Sequence, residues 1–106
     1  MFARNVSLQL KPNALTEFTR TMEGEILPLL RKQRGFRDEI TLVTPGGREV
    51  QAISFWDEKE NAETYNTSAY PQVVKTLSKV IEGTPNVRTF EVNSSSCHKI
   101  AAHATA

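Results

Sequence analysis

A polar amide near the start of the chain, a tryptophan at the end of an apolar run and a tyrosine shortly after it could do chemistry together. Asn5 falls inside the run Phe2 to Leu10, where a buried amide needs hydrogen-bond partners. Trp56 closes the run Val50 to Trp56 and is followed at once by helical chemistry. Its ring therefore either anchors the core or lines a cavity beneath that helix. Tyr65 lies further along the same helix and either joins that cavity or packs with its hydroxyl at the rim. Arg4 and Arg88 alternate with apolar neighbours, which favours ion pairs with Glu91 or Glu49 over ligand binding.

Other chemistries lack their parts. Cys97 and His98 are adjacent and tail-borne, a poor arrangement for nucleophile and base, and no Ser-His-Asp set falls within the folded region. His98 and His103 offer no third ligand for a metal. Gly46-Gly47 lacks the Lys-Ser/Thr of a phosphate loop and joins strand to strand.

The elements that position these residues follow from apolar spacing. Val6, Leu8 and Leu10 alternate with Asn5, Ser7 and Gln9, which predicts a strand over Phe2 to Leu10. Steps of three and four from Leu15 through Phe18, Met22, Ile26 and Leu30 predict an amphipathic helix over 13–34. Pro28 removes a donor and crowds the Gly24 carbonyl, so a kink is expected there, and Gly35 is the expected left-handed cap. Phe36 to Val43 and Arg48 to Trp56 form a hairpin around Thr44-Pro45-Gly46-Gly47.

Asp57 is expected to cap a second helix with Glu60 reaching back, the helix running from Glu58 to Tyr65 or Asn66 and breaking at Thr67-Ser68. A third helix is expected over Pro71 to Glu82 with Gly83 as its cap, then a turn at Thr84-Pro85-Asn86 and a strand over Val87 to Val92. This order is the βαββαβ pattern of an α+β, ferredoxin-like fold: a four-stranded antiparallel sheet with helices on one face. Apolar residues on both strand faces then imply that the helix-free face is covered by a second copy, a homodimer. The domain is expected to span 1–93. The polar tail 94–106 is expected to be disordered or to add an edge strand through Lys99 to Ala102.

Composition fits one globular domain of 106 residues, with 13 basic against 12 acidic side chains. That balance sets up no field for nucleic acid, and Arg31-Lys32-Gln33-Arg34 sits where cations complement a helix dipole. The single cysteine and the lack of a long apolar run are read as a cytoplasmic protein with no membrane span.

With its elements placed, the chain resembles the antibiotic biosynthesis monooxygenase (ABM) superfamily of dimeric α+β barrel proteins. The resemblance covers residues 1–93 and rests on Asn5, on Pro28-Leu29-Leu30 to Gly35-Phe36, on Trp56 with its capped helix, and on the closing strand. It implies a homodimer with a small pocket in each subunit between sheet and helices. It further implies monooxygenation of a small aromatic or quinol-like compound without metal or flavin, or, on the same scaffold, a non-catalytic binding or interaction protein.

Haem-degrading members share the strand-one Asn, but their Trp and His positions correspond here to Tyr65 and Lys75, so no haem is expected. A cofactor-free oxygenase must instead deprotonate a phenol or quinol, hold its anion and let it reduce O₂. Asn5, Trp56 and Tyr65 are then the expected catalytic residues, with Tyr70 and Arg88 binding substrate and no cofactor or metal.

Overall fold

The computed structural model describes residues 1–100. In chain order it places β1 (Phe2–Leu10), α1 (Leu15–Thr21), a π-helical turn (Met22–Ile26), α2 (Leu27–Arg31), β2 (Phe36–Val43), β3 (Glu49–Trp56), α3 (Lys59–Ser68), α4 (Tyr70–Leu77) and β4 (Ile81–Glu91). The strands form one antiparallel sheet in the order β2-β3-β1-β4, and the fold is the expected α+β, ferredoxin-like one. No helix among the described residues is long and apolar enough to cross a membrane.

Strand alternation divides the sheet. Register sets Val6 against Ala52 and Leu8 against Val50 on one face, which meets the helices. Asn5 against Ile53 and Ala3 against Phe55 lie on the other, which no helix among the described residues covers. The core forms where Leu10, Phe18, Val50, Trp56 and Val80 are fully buried between sheet and helices.

Pro28 acts at the expected place, and the irregularity is a π turn. The Leu27 N–H bonds to the Met22 carbonyl, and Pro28 sits in the first turn of α2, where its missing donor costs least. The wider turn aims both Met22 and Ile26 into the core. Helix α2 stops at Arg31 with Lys32 as its cap, and Gly35 lies beyond it with a positive φ of 80°. A Cβ on Gly35 would stand 2.2 Å from the Asn61 side chain, so this glycine is needed for contact as well as for backbone shape.

Several local expectations are corrected. Asp57 does not cap α3: its carboxylate pairs with Arg37 and its N–H donates to the Gly35 carbonyl at 2.8 Å. Glu58 takes the capping position, and its backbone N–H donates to Asn61 Oδ1 at 3.0 Å in a reciprocal capping box. Helix α3 runs on through Thr67-Ser68, with Ala69 as its cap.

The third helix is shorter than expected, ending at Leu77, because the chain from Ile81 is claimed by the sheet. Leu10 pairs with Ile81, and the Lys11 N–H donates to the Val80 carbonyl at 2.9 Å, so Val80 and Ile81 are buried by strand pairing and not on a helix face. Gly83 caps no helix; it lies in β4 where the register slips between Ser7 and Gln9. Thr84-Pro85-Asn86 continue the strand, and Pro85 is tolerated because β4 is a sheet edge.

Residues 92–100 form no strand. His98 is half-buried there, pairing with Asp38 and tilting its ring against Phe55 at 6.4 Å. The expected edge strand beyond Ile100 lies outside the described residues.

Candidate functional site

A cavity of about 40 Å³ lies between the helix-facing side of β1 and β3 and the π turn, α3 and α4. Its walls include Val6, Leu8, Met22, Ile26, Leu30 and Leu77, and its polar lining is Arg4, Glu39, Ser54, Tyr65 and Tyr70. That volume admits water, but an apolar cavity that accepts benzene needs roughly 150 Å³. Entry of an aromatic ring therefore requires the lining residues to move apart.

Arg4 dominates the cavity. It is 2% exposed, yet among the described residues no carboxylate pairs with it. Its guanidinium donates to Asn66 Oδ1 at 2.7 Å and lies 3.9 Å from the centre of the Tyr70 ring and 5.3 Å from that of Tyr65. Burial pulls its pKa below the usual value, opposed by the two tyrosines, and a guanidinium stays charged even so. The aromatic faces stabilise that cation through their quadrupoles but leave its outward donors without an anion.

Tyr65 is buried and pushed up to about 12, chiefly by desolvation, so its hydroxyl stays protonated and can only donate to an anion at neutral pH. Glu39 is also raised by desolvation, which a hydrogen bond from Thr41 partly offsets. Trp56 sits behind Tyr65, with ring centroids 5.0 Å apart, and its Nε1–H donates to Ser54 Oγ at 2.9 Å. The Tyr65 and Tyr70 rings follow at 6.0 Å, making a continuous aromatic column from strand end to cavity.

Of the five residues named from the sequence, the structure brings Tyr65 and Tyr70 to this cavity. Trp56 supports them from the core without lining it. Asn5 and Arg88 do not reach it: they pair with each other across β1 and β4 on the helix-free face. There the Asn5 Oδ1 is buried with no partner among the described residues, and the exposed Arg88 lies over the Phe90 ring at 5.2 Å. The ion pairs expected of Arg4 and Arg88 with Glu91 or Glu49 do not form, because strand alternation turns Arg4 inward. That signal was present in the sequence, since Arg4 shares its parity with Val6, Leu8 and Leu10. Lys75 is exposed on α4 and lines none of this cavity.

No family model and no curated protein matches the chain. Solved structures do match it. A monooxygenase of Streptomyces coelicolor, in complex with the ligand nanaomycin D, superposes with a TM-score of 0.75 at 14% identity, over 89% of this chain and 88% of its own. SnoaB, a cofactor-independent oxygenase from Streptomyces nogalater, gives 0.73 at 12% identity over 92% and 97%. A structure named as a candidate antibiotic biosynthesis monooxygenase from Bordetella bronchiseptica gives 0.73 at 13% over 86% and 95%. At these identities the likeness speaks for architecture, and by that measure the chain has the fold of the antibiotic biosynthesis monooxygenases.

Proposed function

We propose that this chain is a cofactor-independent monooxygenase of a small aromatic phenol or quinol, acting as a homodimer. The observation that carries the reading is the buried Arg4 cation, unpaired with any acid among the described residues, held by two tyrosine rings at the end of an apolar cavity. Such a site stabilises an aromatic oxyanion more than the neutral phenol, which is what the first step demands. Arg4 is fixed by Asn66 and by the rings, so little reorganisation accompanies charge formation. The Tyr65 hydroxyl adds a donor that does not ionise itself.

Loss of a proton makes the ring electron-rich enough to reduce O₂ directly. In anthrone, the keto tautomer of a tricyclic phenol, one oxygen atom becomes the new carbonyl at the CH₂ carbon. The other leaves as water with both hydrogens of that carbon, so the substrate is the only reductant and no cofactor is consumed.

The dimer is supported by the helix-free sheet face, where Ile40, Leu42 and Phe90 are 48%, 52% and 43% exposed. The test is oxygen consumption with anthrone together with anthraquinone formation. Turnover that disappears in Arg4→Met supports the reading. Saturable quenching of Trp56 fluorescence by anthrone with no oxygen consumed supports instead a non-catalytic binding protein on the same scaffold, a reading favoured by the small resting cavity.

A further inference from the structure

We infer that Glu39 is the proton acceptor of this cavity, taking the proton from an aromatic acid held against Arg4 and releasing it to solvent through a second opening. The inference rests on the reading of the cavity as a site where an aromatic anion is formed. Among the residues that line the cavity, Glu39 is the only carboxylate. It also lines a separate groove of about 260 Å³ between β2 and the helical segment above it, with Phe18, Met22, Leu27 and Thr41. One side chain thus faces both the apolar interior and a route outward, which is the placement a proton relay requires.

The carboxylate is held but not neutralised. Thr41 Oγ1 lies 2.8 and 3.0 Å from its two oxygens, and a hydroxyl has one proton to give, so lone pairs remain free. No cation pairs with it among the described residues, and Arg4, lining the same cavity, stays beyond ion-pair distance. The charged and titratable groups that share its two cavities are Arg4 from β1, Tyr65 from α3, Tyr70 from α4 and Glu23 from the π turn. A base and a cation on one cavity wall, kept apart, leave space for an acid to donate to the first and deliver its anion to the second. Desolvation raises the basicity of Glu39 toward the range where a general base is effective. In anthrone the C–H bond of the CH₂ group breaks, the proton goes to a Glu39 carboxylate oxygen, and the electron pair moves through the ring to the carbonyl oxygen, which Arg4 receives as an oxyanion.

Proton abstraction can be read without oxidation. In D₂O under argon, the full chain should accelerate exchange of the anthrone CH₂ hydrogens, followed by proton NMR. Glu39→Gln should slow this exchange by about 100-fold or more, while Trp56 fluorescence still reports bound anthrone. Added acetate should restore exchange in Glu39→Ala along a saturating curve, because the groove admits a small carboxylate to the vacated position. A structural role for Glu39 would give no such rescue. Exchange in Glu39→Gln at the wild-type rate, or no rescue of Glu39→Ala by acetate or formate, overturns the inference. Wild-type exchange without aerobic oxygen uptake would sink the monooxygenase reading and leave Glu39 as the acceptor. No acceleration of exchange by the wild type sinks the Glu39 assignment, whatever its oxygen uptake.

Discussion

The two faces of the sheet use similar residues for opposite purposes. On the helix-facing side, one cation at β1 is buried with no acid beside it among the described residues, and aromatic rings hold it in place. On the helix-free side, Arg88 stays exposed over Phe90, and the orphaned polar atom is the neutral oxygen of Asn5. Both strand pairs are regular there, and Arg4 and Asn5 are neighbours in sequence. The difference comes only from which way alternation turns each side chain. A buried cation without a carboxylate is expensive unless something else uses it. A buried neutral acceptor without a donor costs far less.

The largest expected effect breaks the helix-facing side. Arg4→Met keeps the side-chain volume and removes the charge, so anthrone oxidation should fall by about 100- to 1,000-fold. Stability should hold or rise, since the desolvation cost of the cation is removed. An oxygen electrode and a thermal melt on one preparation read both. Unfolding in place of inactivation would make Arg4 structural.

The open face should fail in a different way. Leu42→Arg places a charge on the helix-free face of β2, two residues from Ile40 and opposite Gln51, without touching the cavity. Sedimentation should move from about twice 11.9 kDa to 11.9 kDa. Anthrone should still quench Trp56 if the cavity is complete within one chain. A dimer unchanged by this substitution would remove the second copy from that face.

How much of this was legible in the sequence depended on whether the signal was local. Alternation in β1, the hairpin around Pro45-Gly46-Gly47 and the disturbance near Pro28 are short-range patterns, and each falls where the sequence predicts it. Helix α4 was overextended because Val80 and Ile81 fit a helical stripe as well as a strand. Only the unpaired backbone of β1 at Leu10 and Lys11, distant in sequence, decides between them. The cap of α3 slipped by one residue for the same kind of reason, since Arg37 takes the Asp57 carboxylate. At the site, the sequence points to Tyr65 and Tyr70, but it favours Asn5, as a buried amide and through the resemblance, over Arg4, for which it expects an ion pair. The parity of β1 pointed the other way.

Two intermediate effects sharpen the helix-facing side. Tyr65 is pushed up to about 12 when folded, against 10.0 for a solvated tyrosine, so folding favours its neutral form. The folded pKa being the higher, the contribution is complete below pH 10 and is lost as pH rises through about 12. It is on the order of 2–3 kcal/mol. Urea midpoints measured from pH 9 upward should fall across that window, and Tyr65→Phe should flatten this part of the slope. Gly35→Ala should cost about 1–3 kcal/mol, because its Cβ meets the Asn61 group that caps α3 and its φ is positive. The melt should shift downward; an unchanged melt would mean that the Glu58–Asn61 box can move aside.

The smallest effect is the one that separates the two faces most sharply. From the sequence, Asn5→Ala should weaken ligand binding by removing a buried hydrogen bond. Its Oδ1 lies on the opposite side of β1 from Arg4, however, with Arg88 and Ile53 as cross-strand neighbours, so no cavity ligand reaches it. Anthrone affinity, read through Trp56, should therefore stay within about twofold of the wild type. The Asn5 side chain is only half-buried in a single chain, and a second copy on that face would pack against it. Removing it should then weaken dimerisation by about 1 kcal/mol, roughly fivefold in the dissociation constant. Sedimentation over a concentration series resolves a change of that size. A dimer left intact while ligand binding drops would put Asn5 back in the chemistry, and would mean that the sheet exposes the wrong face to its helices when a ligand is bound.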